Sequence, residues 1–373
     1  MAKLSYAELK TLVASLVTDA KISNDSFVET RDNSVGLLDK IGKIVTLDTD
    51  YQTDKLYMFD GEYLSFGKTI EEWQEDLILP QDFDSSGANA LAPNDPTYRP
   101  VFYSYTLGRK VIKTTIRNDD IERAVHFNEQ FIEIIAMKNK RLSDSMSQYR
   151  YQVKREMLAK FIGLAHAEMT NTETFATSHE YAVGTCVRSA STGTIKYGIV
   201  VKKVPSTNDK NWANSVLAGY IIELHLEQAI AIPEDETTGE AFLCQLRKDI
   251  EVAQDSSEGF SLNGNSLGAT EGLVLIVKQG VIPELDVKTL SGAFHLDKVA
   301  PNVETIVIKD FGGADSGYYA ILMDRRGMRL HNTYNATRED VNGLGDFLNI
   351  NRHTEDTAYL SRNVFFKAYK DVA

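Results

Sequence analysis

Gly67-Lys68-Thr69 is the tripeptide of this chain that invites nucleotide chemistry. A phosphate cradle needs four residues between its first glycine and the Gly-Lys-Ser/Thr triplet, so that successive backbone amides wrap the β-phosphate. Here Gly61 stands one position too early and Glu62 occupies the glycine slot. A helix beginning after Thr69 would also carry Glu71, Glu72 and Glu75 where the phosphate should sit. A P-loop-like nucleotide-binding enzyme around this triplet is therefore kept as an alternative, not as the first reading.

Other candidate groups are weaker. Asp48-Thr49-Asp50 opens like a calcium loop, but Thr53 and Phe59 stand where the EF-hand wants its glycine and its bidentate glutamate. The histidines (His126, His166, His179, His225, His295, His331, His353) form no H-x-x-x-H, H-E-x-x-H or H-x-H pair. His225 and Glu227 share one face of an expected strand and read as structural. Cys186 and Cys244 have no metal-ligand spacing and read as two small core residues in a reducing compartment. No G-x-S-x-G elbow occurs. Gly312-Gly313-Ala314-Asp315-Ser316-Gly317 reads as a turn between strands. No catalytic or metal-ligating set emerges, no enzyme activity is expected, and no cofactor is implied.

The composition points away from several classes. The chain has 373 residues, 43% hydrophobic and 25% charged, enough for a large core in two or three compact units. That excludes global disorder. The formal net charge of −13, from 53 acids against 40 bases, argues against tight general nucleic-acid binding, although a local basic patch stays open. No apolar run is long enough for a membrane span, and Met1-Ala-Lys-Leu-Ser-Tyr does not begin like a signal peptide. A soluble protein of a cytoplasm or a virion fits best.

Several elements follow from periodicity. Ser5 and Glu8 form a capping-box pair ahead of Leu9, Leu12, Val13, Leu16 and Val17, a short amphipathic helix. Residues 21–55 read as an irregular arm. Residues 56–117 read as one extended hairpin whose mobile tip is the Pro-, Gly- and Asn-rich stretch 80–96. The outgoing leg is acidic (Glu71, Glu72, Glu75, Asp76). The return leg carries the strand signal VFYSYTL and the bases Arg109, Lys110, Lys113 and Arg117. Opposite charges on the two legs are expected to face each other across the hairpin, or to pair between copies. Such a hairpin cannot bury its own sides and should lie on another domain or subunit.

Asn118-Asp119-Asp120 can cap a long helix through Met169, striped by Leu142, Met146, Tyr149, Val153, Met157, Phe161 and Leu164. Ser143–Ser147 is a weak point where it is expected to bend or break. Its other face is basic (Lys138, Lys140, Arg141, Arg150, Lys154, Arg155, Lys160), suited to a polyanion or to acids of a neighbour. Residues 171–232 read as strand-rich. Glu240–Gln254 reads as a helix burying Phe242, Leu243, Leu246, Ile250 and Ala253, and GLVLIV (272–277) as a buried strand. Further strands are expected at 305–309, 318–323, 327–334 and 362–369. The fold class is α+β.

This order of parts resembles the major capsid proteins of tailed double-stranded DNA bacteriophages, with the Hong Kong 97-type fold. The likeness extends to small short-tailed podophages with protein-primed genome ends (picovirus-like). It is carried by GKTIEEWQEDL (67–77), EAFLCQLRKDIEVAQ (240–254), GLVLIVKQG (272–280), YYAILMDRRGMRLHNTY (318–334) and DFLNINRHTEDTAYLSRNVFFKAY (346–369). The resemblance implies an N-arm (1–55), an extended E-loop (56–117), a peripheral P-domain with a spine helix (118–185), an axial A-domain (186–304) and returning P-domain strands (305–373).

It also implies a virion protein, assembled in the host cytoplasm, that self-assembles into pentamers and hexamers of an icosahedral shell around double-stranded DNA. Its partners would be identical subunits, a separate scaffold protein, a portal at one vertex and the packaged DNA, with no membrane. No N-terminal scaffolding extension and no immunoglobulin-like C-terminal domain are expected. Glu71, Glu72, Glu75, Arg109, Lys110, Lys113 and Arg117 are the expected subunit-interface residues. A different virion structural or scaffold-like protein remains the further alternative.

Overall fold

Strands outnumber helices among the described residues, and the two longest strands pair with each other. The structure is a computed structural model describing residues 54–75, 98–117, 128–170, 172–190, 194–268, 272–284, 303–312 and 317–372, with scattered positions between 78 and 93. The expected N-terminal helix, the arm through 53, Asp48-Thr49-Asp50, the Asn118-Asp119-Asp120 cap and most of the 80–96 tip lie outside them.

In chain order the elements begin with β1 (Ile70–Glu75), β2 (Tyr98–Tyr103), β3 (Tyr105–Thr106), β4 (Lys110–Arg117), helix α1 (Asn128–Thr170), β5 (Glu173–Thr174), β6 (Cys186–Arg188) and β7 (Tyr197–Val200). Then come α2 (Trp212–Leu217), β8 (Ile221–Glu223), β9 (Glu227–Ala229), α3 (Glu236–Gln254), β10 (Ser257–Glu258), β11 (Asn265–Ser266) and β12 (Leu273–Lys278). The chain closes with the short α4 (Val281–Glu284), β13 (Glu304–Ile308), β14 (Tyr318–Asp324), β15 (Met328–Asn342), β16 (Phe347–Leu360) and β17 (Phe366–Lys370).

The core is a five-stranded mixed sheet in the order β13-β12-β14-β17-β9. Both faces are covered, so β14 is buried at all seven positions and β12 at its four central ones. One side of β12, Val274 and Ile276, shares a core with Val153, Met157, Phe161 and Ile162 of α1. The other side, Leu275 and Val277, shares a core with Phe242, Leu243, Leu246 and Ile250 of α3. Edge-to-face rings fasten each helix: Phe161 on Phe366 at 4.4 Å, and Phe242 on Tyr369 at 5.4 Å. The sheet draws β9 and β12 from before residue 304 and β13, β14 and β17 from residue 304 onward.

Helix α1 runs 43 residues, about 65 Å at 1.5 Å per residue, without the break expected at Ser143–Ser147. Ser143, Ser145 and Ser147 are exposed, while the neighbouring Leu142 and Met146 are buried. Tertiary packing on that apolar side holds the helix through a run of poor formers. α3 begins earlier than expected, where Asp235 and Thr238 form a reciprocal cap. Within the stretch read as strand-rich, Trp212–Leu217 instead forms α2, capped by Asn211.

A second, four-stranded sheet contains β15 and β16 as a long antiparallel hairpin. The far side of β16 is taken by β4 and, nearer its C-terminal end, by β3. A third sheet, β5-β6-β7-β8, encloses Phe175, Tyr181, Val187, Val200, Val204 and Ile221.

Candidate assembly surface

Lys68 of the Gly-Lys-Thr triplet forms an ion pair with Glu355 of β16. The residues after it form strand β1, so there is no helix N-terminus to receive a phosphate. The P-loop alternative is thereby removed. Glu355 also receives Arg109 at 3.6 Å, and the Arg109 guanidinium lies 4.0 Å above the Tyr334 ring. Its carboxyl is held below the usual glutamate range, first by the Lys68 hydrogen bond and then by the charges of Lys68 and Arg109. One carboxylate thus gathers a base from each leg of the 56–117 excursion.

Among the described residues, the charge pairing expected across the excursion does not form. β1 pairs with β2, not with the basic leg: Glu71 opposes Phe102, Glu72 opposes Val101, and Glu75 opposes Tyr98. The basic leg, β4, pairs with β16: Lys110 opposes Thr354, Lys113 opposes Asn351, and Arg117 opposes Phe347. The physical reason is apolar. Ile112 and Ile116 on β4 join Leu348 and Ile350 of β16 over Leu142 of α1, a burial that outweighs exposed charge pairs.

Burial alternates along β1, leaving Glu71, Trp73 and Glu75 exposed and Ile70, Glu72 and Gln74 half-buried. Glu72 is a structural anchor: its Oε1 accepts from Ser361 Oγ at 2.8 Å and from Asn363 Nδ2 at 3.1 Å. Tyr103, on β2, accepts from the Arg362 amide at 2.9 Å and meets Tyr359 edge-on at 5.0 Å. Burial and the nearby Glu72 charge push both phenols well above their ordinary range. The hairpin base is therefore locked to the end of β16, while Trp73 and Phe102 stay exposed beside it. Lys110, Lys113 and Arg117 are also exposed.

The basic face of α1 is not left free for a polyanion. Arg150 pairs with Asp60 at 3.3 Å, Lys154 with Asp54 and Asp60, and Arg155 with Asp310. Lys138 donates to the Thr115 carbonyl at 3.0 Å. Of the bases on this face, Lys160 is exposed.

The lesser candidates are structural. His225, whose pKa burial lowers, meets Phe260 in a tilted ring contact, whereas Glu227 accepts from the Tyr318 hydroxyl and hydrogen-bonds His166, so the two do not act together. Cys186 is half-buried beside Glu168, and burial pushes its thiol up to about 12. Cys244 is exposed on α3, contrary to the expected core position, because it lies off the buried stripe of that helix. Among the described residues no group of His, Cys, Asp and Glu is placed to hold a metal, and no helix is long and apolar enough to cross a membrane.

Sequence reasoning missed a second apolar feature, the tip of the β15–β16 hairpin. Val341 and Leu344 are exposed there, Leu344 completely, between Gly343 and Gly345. Its signal was a lone leucine between glycines inside a polar stretch.

Residues 14–366 match the family model of Phi29-like phage major capsid proteins. The chain belongs to the Phi29-like phage major capsid protein family. Solved structures agree in fold. This capsid protein is similar to a chain in the capsid structure of Staphylococcus phage Andhra, with 9% identity, a TM-score of 0.56, and 94% of this chain and 90% of that one covered. It is similar to a chain in the structure of head fiber and inner core protein gp22 of native bacteriophage P68, at 11% identity, TM-score 0.54, and coverage of 94% and 90%. It is also similar to a chain in the capsid of Cyanophage P-SCSP1u, at 9% identity, TM-score 0.52, and coverage of 94% and 97%. No curated protein matches the sequence. The fold is the Hong Kong 97-type capsid fold, and the chain is a shell subunit of a phage virion.

Proposed function

We propose that this capsid protein assembles as pentamers and hexamers into an icosahedral shell around double-stranded DNA, in the host cytoplasm, with a separate scaffold protein and a portal at one vertex. It catalyses nothing, and the shell is of the small short-tailed kind. Residues 1–55 act as the N-arm, 56–117 as the E-loop, 118–185 and 305–373 as the P-domain and 186–304 as the A-domain.

The observation that carries this reading is the β1–β2 hairpin. Its base is fixed to β16 through Glu72 and Tyr103, while Trp73 and Phe102 remain exposed on it. A two-stranded hairpin is not stable alone in water. Large apolar rings on a rigidly mounted, two-stranded arm are what a neighbouring copy would cover. Glu71, Glu75, Lys110, Lys113 and Arg117, all exposed, supply charge pairs between copies around that contact. Glu72 and Arg109 serve inside the subunit, holding the arm in place.

The test is deletion of residues 83–96. The subunit should keep its unfolding midpoint and lose particle formation under electron microscopy. A deletion that unfolds the subunit, or one that leaves particle yield intact, contradicts the assignment.

A further inference from the structure

We infer that Lys202, Lys210 and Tyr220 form a contact for the phosphate backbone of the enclosed duplex; this rests on the shell reading above. The chain is acidic overall, yet between residues 186 and 210 five bases stand against the single acid Asp209. Two of those bases are neutralised locally, Lys196 by Glu223 at 3.0 Å and Lys203 by Glu180 at 2.6 Å. Lys202 and Lys210 are exposed and, among the described residues, neither forms an ion pair. Instead both ammonium groups converge on one half-buried ring, lying 5.5 Å and 5.6 Å from the centre of Tyr220.

The ring is held by its chain neighbours. The Tyr220 amide donates to the Ser215 carbonyl at the end of α2, and its carbonyl accepts from the Val201 amide. One aromatic ring therefore has two positive charges near it, and among the described residues neither is paired with a carboxylate. A ring face attracts a cation only weakly at an exposed site, so the pair keeps most of its positive potential for an outside anion. The two nitrogens can be no further apart than those two distances end to end. Two ammonium groups within that limit can both reach phosphates of a duplex, which carries a charge about every 1.7 Å of its axis.

Two exposed lysines side by side match the continuous run of phosphates of a duplex. An ammonium on a flexible stem is a point charge without a fixed hydrogen-bonding fork. It suits a partner whose phosphates do not repeat in register with the subunits. Phosphate contacts of this kind carry no sequence preference.

The test uses the full chain and a short, labelled, random-sequence duplex, with binding measured across a salt series. Lys202→Ala with Lys210→Ala should lower the slope of log affinity against log salt by about 2, because each phosphate contact contributes nearly one. Lys202→Arg with Lys210→Arg should preserve the slope, and neither pair should alter the circular dichroism spectrum. No measurable binding by the wild type, or an unchanged slope in the alanine pair, overturns the inference. If particle yield falls while DNA binding is untouched, the two lysines meet another copy and the inference is equally overturned. Particle formation by the wild-type chain reports separately on the shell reading.

Discussion

The ammonium of Lys154, sealed from solvent on the long helix, lies 2.6 Å from the Asp54 carboxylate and 2.7 Å from that of Asp60. Two acids flanking Leu56 and Phe59, both fully buried, are thus bolted to the middle of α1. The place where the chain enters the hairpin excursion is fixed by charge as well as by apolar packing. Breaking a buried pair by removing one partner leaves an uncompensated charge.

Lys154→Met should accordingly destabilise the unassembled subunit by about 3 kcal/mol, read from its urea midpoint. Adding Asp54→Asn and Asp60→Asn to that variant should recover part of the loss, because the stranded carboxylates go with it. A Lys154→Met subunit as stable as the wild type would show that this cluster holds nothing.

Asp249 and Lys367 give a second buried pair, at 2.7 Å, between α3 and β17, with Tyr369 donating to the same carboxylate at 2.8 Å. Lys367→Met alone should cost about 3–5 kcal/mol, and Lys367→Met with Asp249→Leu should cost less than the two single changes added together. Thermal melts of the three variants give the coupling directly; strict additivity would contradict the pairing.

Glu355 yields a pH dependence. Its pKa is depressed by Lys68 and Arg109, so its contribution to stability is present above the ordinary glutamate range and lost as pH falls through the lower, folded-state value. The melting-temperature gap between wild type and Glu355→Gln should be widest near neutrality and close on acidification. A gap that widens toward low pH would have the wrong sign for this pair.

Much of this was legible in the sequence where apolar residues recur. GLVLIV announced β12 because a strand covered on both faces is a continuous apolar run. Leu142, Met146, Val153, Met157 and Phe161 announced α1. The β15–β16 hairpin was harder: the outer half of β15 is mostly exposed, so Asn335–Asn342 carries no period-two pattern to read. The partner of the acidic leg was also hidden. Charge complementarity favoured the basic leg, but register followed the half-buried Ile112 and the buried Ile116, which charge alone does not reveal. On the acidic leg, Glu72 could not be told from Glu71 until its Ser361 and Asn363 partners, nearly 300 residues away, were in view.

Leu344, completely exposed at the β15–β16 tip, tests the second apolar feature. Leu344→Asp should leave subunit stability within about 0.5 kcal/mol, as for other surface changes. It should reduce particle yield. Normal yields with Leu344→Asp would remove the tip from the assembly surface.

Electron microscopy of the purified full chain, taken across protein concentration and salt, bears most directly on self-assembly. Closed shells, sheets or tubes are the predicted result, lost when Trp73 and Phe102 are both changed to Ser while the subunit still melts cooperatively. A monodisperse single subunit under every condition would contradict the account.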